Sequence, residues 1–262
     1  MYLISAILLF WVVFVFWVRR ELAEAWSEPC LRSPVLVFEG DDWGFGPTEQ
    51  AQALLDIAEV LGRHRDAQGR CPVMTIGVIL SGPDPTQPEN AEAGLGLDDE
   101  KLVCVRSAIL KGVNAGVFSL QLHGMQHYHP QVLARACRSD PALAEWRRRH
   151  LPSTEDLPPA LQSRWTDGSV LPSRALDPQD IHRRVVAEVA EFRRVFGTDP
   201  VVAVPPTFVW SEEVETAWAA AGLRVLVTPG ERYESRGADG LPTDSGHFYH
   251  NGQRCDSGLI AV

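Results

Sequence analysis

Val35-Leu36-Val37-Phe38-Glu39-Gly40-Asp41-Asp42-Trp43-Gly44 joins a short apolar run to an adjacent pair of carboxylates. An unbroken apolar run of this kind reads as a strand buried in a parallel sheet. A second run, Gly116 to Leu122, ends at His123-Gly124-Met125-Gln126-His127-Tyr128-His129-Pro130. Alone, Asp41-Asp42 reads as a solvated acidic turn, and the histidines as surface residues at a turn-to-helix junction. Together they are the parts of a divalent-metal hydrolase. One aspartate and two histidines can hold a zinc-like ion and leave positions open for water and substrate. The other aspartate can act as base on that water. Four residues apart on a helical turn, His123 and His127 are expected to present their imidazoles to one ion.

Outward from these two segments, strands alternate with helices. Thr48 to Leu61 reads as a helix with Ala51, Leu54, Leu55, Ile57, Ala58 and Leu61 near one face, and Pro72 to Leu80 as the next strand. Ser81 to Gly96 reads as a surface loop, and Asp98-Asp99-Glu100 as the start of a helix running through Leu110. Pro130 to Arg149 has a helical pattern, whereas Leu151 to Pro178 lacks periodicity and reads as an excursion lying over the domain. Asp177-Pro178 then caps a helix with Ile181, Val185, Val189, Phe192 and Phe196 as its stripe and Gly197 as its end. Val201 to Val204 and Leu223 to Val227 read as strands on either side of a helix from Glu212 to Ala221. This alternation predicts a parallel α/β sheet or barrel. Ligands of such folds bind beyond the carboxyl ends of the strands. Asp41-Asp42, His123/His127 and the Pro205-Pro206 turn are all expected just past such ends, on one rim.

The 262 residues suit one large domain or two small ones, and 45% hydrophobic with 22% charged content is ordinary globular composition. A formal charge of −10 argues against a nucleic-acid partner. Cys30, Cys71, Cys104, Cys137 and Cys255 are scattered, forming neither a disulfide framework nor a thiolate metal site. Met1 to Val18 is uncharged and stops at Arg19-Arg20. At about 1.5 Å per residue it would span roughly 27 Å as a helix. It has no basic start, and Glu21-Leu22-Ala23-Glu24-Ala25-Trp26 makes a poor cleavage region, so it reads as an uncleaved single-pass anchor rather than a signal peptide. The expected organisation is an anchor over residues 1–20 (apolar over 1–18), a linker over 21–33 and a catalytic domain over 34–262. The flanking arginines favour a cytoplasmic domain, but two residues leave the side of the membrane open.

The two metal-ligand segments resemble the first two motifs of the polysaccharide deacetylases of carbohydrate esterase family 4, Thr-Phe-Asp-Asp-Gly and His-Ser/Thr-x-x-His-Pro. Glycine stands at position 124 in place of the hydroxyl residue, and the proline comes late, at Pro130. The resemblance implies Asp41 as general base, Asp42, His123 and His127 as metal ligands, and a divalent cofactor, Zn2+ first among them. It implies hydrolysis of N-acetyl groups on a polysaccharide or amino sugar, with a backbone amide near His127 helping to hold the tetrahedral oxygen. The family's third motif, an Arg-x-Pro-Tyr turn, is echoed by Val204-Pro205-Pro206-Thr207-Phe208, where the arginine that orients the base is replaced. Trp43, Pro206, Phe208 and Trp210 are the candidate substrate-binding residues. For the family's late Leu-His, which supplies the general acid, only His247 and His250 are offered. Ser257-Gly258-Leu259-Ile260-Ala261-Val262 ends inside an apolar run. The expected fold is therefore a parallel (β/α) barrel-like deacetylase domain lacking its last elements, with a sheet edge exposed. Two other readings stand beside it. One is a membrane-anchored glycan-binding or scaffold protein with an impaired site, and the other is a different metal amidase on the same scaffold. His129 is expected to be a supporting or surface residue, and His64, His150 and His182 to be exposed.

Overall fold

The computed structural model describes residues 2–27, 30, 32 and 35–262. Its helices are α1 Tyr2–Trp17, α2 Arg19–Ser27, α3 Gln50–Gly62, α4 Val103–Asn114, α5 Pro130–Cys137, α6 Pro141–Arg148, α7 Pro159–Gln162, α8 Pro178–Phe196 and α9 Glu212–Ala220. One all-parallel sheet contains β1 Phe38–Gly44, β2 Met74–Ile79, β3 Phe118–Leu122, β4 Val202–Ala203, β5 Val225–Leu226 and β6 Ile260–Ala261. The spatial order of these strands is their chain order. Each crossover therefore steps in the same direction, as in a barrel, whereas a doubly wound sheet reverses midway. Among the described residues β1 and β6 do not pair, so the sheet is barrel-like in order without closing.

Burial explains why the strands are short and apolar. Ile76, Val78, Ile79, Leu122, Ala203 and Leu226 are almost entirely removed from water, and helices cover them through Leu54, Val105, Ile109, Val185, Phe192, Val214 and Trp218. Asp177 caps α8 by accepting from the Gln179 and Asp180 amides, and Gly197 ends it at φ 72°. A left-handed residue of this kind releases the last carbonyls without a Cβ penalty.

Several elements depart from the sequence expectations. Val35, Leu36 and Val37 are exposed ahead of β1, which starts only at Phe38. The acidic pair consequently lies within the strand rather than beyond its end. Asp98-Asp99-Glu100 sit in turns, and α4 begins at Val103. Asp140-Pro141 splits the helix expected from Pro130 to Arg149, the Asp140 carboxylate capping α6. Ser81–Pro83 and Gly94–Gly96 form an antiparallel ribbon inside the expected loop. A second ribbon pairs Glu231–Arg236 with Pro242–Phe248.

The N-terminal segment is helical, but α1 has 16 residues and the chain bends by 67° into α2. At about 1.5 Å per residue that is roughly 24 Å, short of a bilayer core. No single helix among the described residues is long and apolar enough to cross a membrane; only the bent pair passes by length and composition. α2 occupies the beginning of the expected linker. Its Ser33-Pro34 boundary lies outside the described residues.

Candidate metal centre

The acidic pair occupies a β-bulge. Pairing runs Gly40 with Ile76 and then Trp43 with Val78, so β1 carries one residue more than β2 across this interval. Asp42 takes the left-handed conformation, φ 63°. A bulge of this kind breaks the in–out alternation and re-aims side chains, which lets adjacent carboxylates serve one site. Asp42 Oδ1 lies 3.2 Å from His123 Nε2 and 3.3 Å from His127 Nε2. The ligand atoms of all three fall within 4.8 Å of one another. His123 follows directly on β3, and its Nδ1 donates to the Val204 carbonyl at 2.9 Å, just past β4. That bond leaves Nε2 free to ligate.

Residues 125–128 form bends and 123, 124 and 129 have no regular structure, so the expected helical turn is absent, and α5 starts at Pro130. The imidazoles nonetheless converge, with ring centroids 5.0 Å apart. His129 is buried. It caps α5 by accepting from the Val132 amide, and its other ring nitrogen lies 3.0 Å from Asp180 Oδ2.

Electrostatics divide the two aspartates. Burial pushes the Asp41 carboxyl above its ordinary value, opposed by the His123 charge and assisted by Asp42. Burial acts the same way on Asp42, but the His123 hydrogen bond and the charges of both imidazoles outweigh it and hold the group at about 2. His123 is held above the usual histidine value because the bond and charge of Asp42, with Asp41, overcome its desolvation. Desolvation and the neighbouring His123 push His127 down to about 4. The donor set is thus one ionised carboxylate with two imidazoles, beside a carboxyl that binds its proton more tightly.

A cleft of about 300 Å³ opens on the pair, lined in part by Trp43, Phe45, Gln50, Ser153, Thr154 and Glu155. The last three belong to the irregular excursion, which does lie over the domain as expected. Of the residues expected to contact substrate, Trp43 lines the cleft, half-buried. Phe208 is half-buried against the core and Pro206 is buried, its Cγ 3.3 Å from a Cβ placed at Gly124. Trp210 presents no face to the cleft. It is fully buried and its indole donates to Glu215 at 2.8 Å, so it is a core residue. Neither His247 nor His250 lines the cleft. His64, His150 and His182 are exposed as expected.

Three contributors were not anticipated. Glu155, within hydrogen-bond reach of Asp42, is a third carboxyl at the cleft. Arg164 and Glu188, both fully buried, form an ion pair of 3.0 Å beneath the histidine loop. Glu188 had a visible signal: an acid seven residues after Ile181 falls on the apolar stripe of α8. Arg164 and Glu155 lie in the stretch without periodicity and had none.

No protein-family profile matches this chain, and no curated protein does. Polysaccharide deacetylases recur among the solved structures it resembles. One from Bacillus cereus is 12% identical at a TM-score of 0.38, over 86% of this chain and 45% of that one. A family 4 acetyl xylan esterase from Clostridium thermocellum, solved with a cobalt ion, is 14% identical at 0.37, over 73% of this chain and 56% of that one. The deacetylase domain of a protein from Bordetella bronchiseptica is 11% identical at 0.42, over 95% and 84%. This chain thus spans about half the length of the first two. Likenesses of this strength carry no inference about activity, which has to come from the residues of the cleft.

Proposed function

We propose that this chain is a metal-dependent hydrolase that removes N-acetyl groups from a polysaccharide or amino sugar. Asp42, His123 and His127 would hold the ion, Zn2+ by the chemistry of one carboxylate and two imidazoles, and Asp41 would be the base. The single observation that carries this reading is the convergence of both Nε2 atoms on Asp42 Oδ1 beside Asp41. The donor set fits an ion: Asp42 Oδ1 is buried and meets only the two imidazole nitrogens, at 3.2 and 3.3 Å, and Asp41 Oδ1 is buried with no hydrogen-bond partner among the described residues.

When bound, the ion would polarise an amide carbonyl and acidify its water. The chain supplies the rest. Asp41 is partly desolvated and raised in proton affinity, which suits a carboxylate that must accept a proton. Trp43 gives the cleft apolar surface on which a sugar face can rest, Phe45 packs in the core behind it, and Ser153 to Glu155 restrict the cleft. We assign the apolar segment 1–18 to membrane attachment, supported by the exposure of its large side chains from Leu3 to Trp17. Fractionation of the chain with and without residues 1–20 tests that assignment.

Metal analysis and acetate release from N-acetylated sugar oligomers test the main reading. Wild type should retain about one zinc per chain and release acetate, and Asp41→Asn should stop release while zinc stays. Undiminished metal binding by Asp42→Ala and His123→Ala would overturn it. A second reading, an impaired glycan-binding protein, is favoured by one observation: no arginine is among the charges acting on Asp41. Oligomer binding without acetate release would select it, and comparison with simple amides would identify a different amidase.

A further inference from the structure

In an H-x-x-x-H pair on an α-helix, the backbone ladder itself fixes the separation of the two side chains. Here that ladder is missing, because residues 125–128 are bends and 123, 124 and 129 have no regular structure. Something else must hold the intervening peptides. Gly124 O accepts from the Leu80 amide at 3.3 Å, and Met125 O from the Ser81 amide at 2.7 Å, both just beyond β2. These bonds hold one side of the loop. On the other side Glu188 Oε2, from α8, accepts the Met125 amide at 3.1 Å. The same oxygen accepts from Arg164 Nε at 3.0 Å, and the Arg164 guanidinium donates onward to Gln126 Oε1 at 2.8 Å. Glu188 Oε1 is fixed by the Trp218 indole at 2.9 Å. A Cβ at Gly124, where φ is 89°, would sit 3.0 Å from Arg164 Cδ, so the glycine lets the arginine stem close against the loop.

We infer that the buried Arg164–Glu188 pair is a positioning device that sets the separation of His123 and His127, and thereby the affinity and geometry of the metal site. The inference rests on the metal reading above. Sealing an ion pair away from water is unfavourable unless its geometry is well satisfied. Burial here pulls the guanidinium down and pushes the carboxyl up despite their mutual attraction. An apolar pair could fill the same space, but it could not hold an amide and a side-chain carbonyl in the loop. Neither residue belongs to the ligand group, so both act through the histidines.

The test uses the full chain with Zn2+ alone and with Co2+ alone as probes. Arg164→Lys and Glu188→Gln should weaken Zn2+ roughly 10- to 100-fold, the range for partners that orient ligands. They should also shift the visible absorption of the Co2+ form, which reports ligand geometry. The double variant Arg164→Met/Glu188→Leu replaces the pair with apolar volume and guards against loss of folding. By circular dichroism it should be folded, yet it should bind Zn2+ as weakly as the single variants. Val105→Ala, a core truncation in α4, should lower stability but leave affinity and the Co2+ spectrum unchanged. Folded pair variants with wild-type Zn2+ affinity and an unchanged Co2+ spectrum would overturn the positioning role while leaving the metal site intact. Failure of wild type to take up either ion would instead remove the metal reading and this role with it.

Discussion

Gly77 on β2 provides the space that the Asp41 carboxylate fills: a Cβ at position 77 would lie 2.4 Å from Asp41 Oδ1 and 3.1 Å from its Cγ. The bulge turns Asp41 toward the neighbouring strand, and only a residue without a side chain accommodates it there. Gly77→Ala should therefore displace the base while sparing the ligands. A misplacement of about 1 Å can cost on the order of 100-fold in rate, so kcat/KM for acetate release should fall by about that factor. Zinc affinity should stay within a few-fold of wild type. Equal loss of both in one titration series would show that the glycine supports the whole site rather than Asp41.

Trp43, which lines the cleft, and Trp210, which is buried in the core, should behave oppositely. Trp43→Ala removes cleft surface and should raise KM for oligomeric substrates with little change in melting temperature. Trp210→Phe keeps most of the buried ring but takes the indole N–H from Glu215, which also accepts from Tyr249 and Arg232. An under-satisfied buried acceptor costs about 1–3 kcal/mol, and urea unfolding should show a loss of that size with KM unaltered. A KM effect confined to Trp210 would reverse these assignments.

The difference between these residues marks what sequence patterns carry. α8 was legible because an Asp-Pro cap, a five-residue apolar stripe and a terminal glycine each have a local physical cause. The clustering of Asp42, His123 and His127 was legible because these residue types are chemically rare in combination. The bulge was not, since it depends on registration against β2, a partner some thirty-five residues away in sequence. Trp210 is ambiguous in sequence for a related reason. An aromatic beside a motif turn looks the same in sequence whether it faces ligand or core, and only the position of Glu215 decides. Arg164 and Glu188 form a contact 24 residues apart that no periodicity announces.

Capping gives a prediction at the start of α8. The Asp177 carboxylate accepts two amides of the first turn, at 2.8 and 3.1 Å. Asp177→Ala should destabilise the domain by about 1 kcal/mol, and Asp177→Ser should recover most of it. Because α8 also carries Glu188, the comparison is made by urea unfolding of the metal-free chain. An Asp177→Ser variant no better than Asp177→Ala would show that the charge, not the cap, carries the effect.

Acid sensitivity follows from the Arg184 cluster. Arg184 donates to Asp180 at 2.9 Å and to Glu92 at 3.0 Å. Burial pushes both carboxyls up, but the bonds and charge of Arg184 prevail, with His129 assisting, and both lie below their ordinary values. A carboxylate depressed on folding contributes stability that is present above its unfolded pKa and lost as pH falls through the folded one. The contribution should therefore be intact at pH 6 and decline below about pH 4. Glu92 is half exposed, and solvent screening limits such a pair to about 1 kcal/mol or less. Arg184→Met should flatten the fall in unfolding free energy between pH 5 and pH 3 by about that amount. A parallel pH profile in the variant would show that Arg184 is not the cause.

Zinc itself should report on the triad without any turnover. A ligand that binds only the folded state adds about 2.7 kcal/mol of stability at one hundred times its dissociation constant. Asp42, His123 and His127 come from β1 and from the segment after β3, which are not neighbours, since β2 lies between them. Binding should therefore resist separation of three strands at once. Wild type should melt several degrees higher in saturating Zn2+ and fall back after chelation. Asp42→Ala and His127→Ala should show no such rise, whereas Asp41→Asn should keep it, because Asp41 is assigned to proton transfer rather than to ligation. A rise that survives in Asp42→Ala would mean that zinc binds elsewhere on the chain.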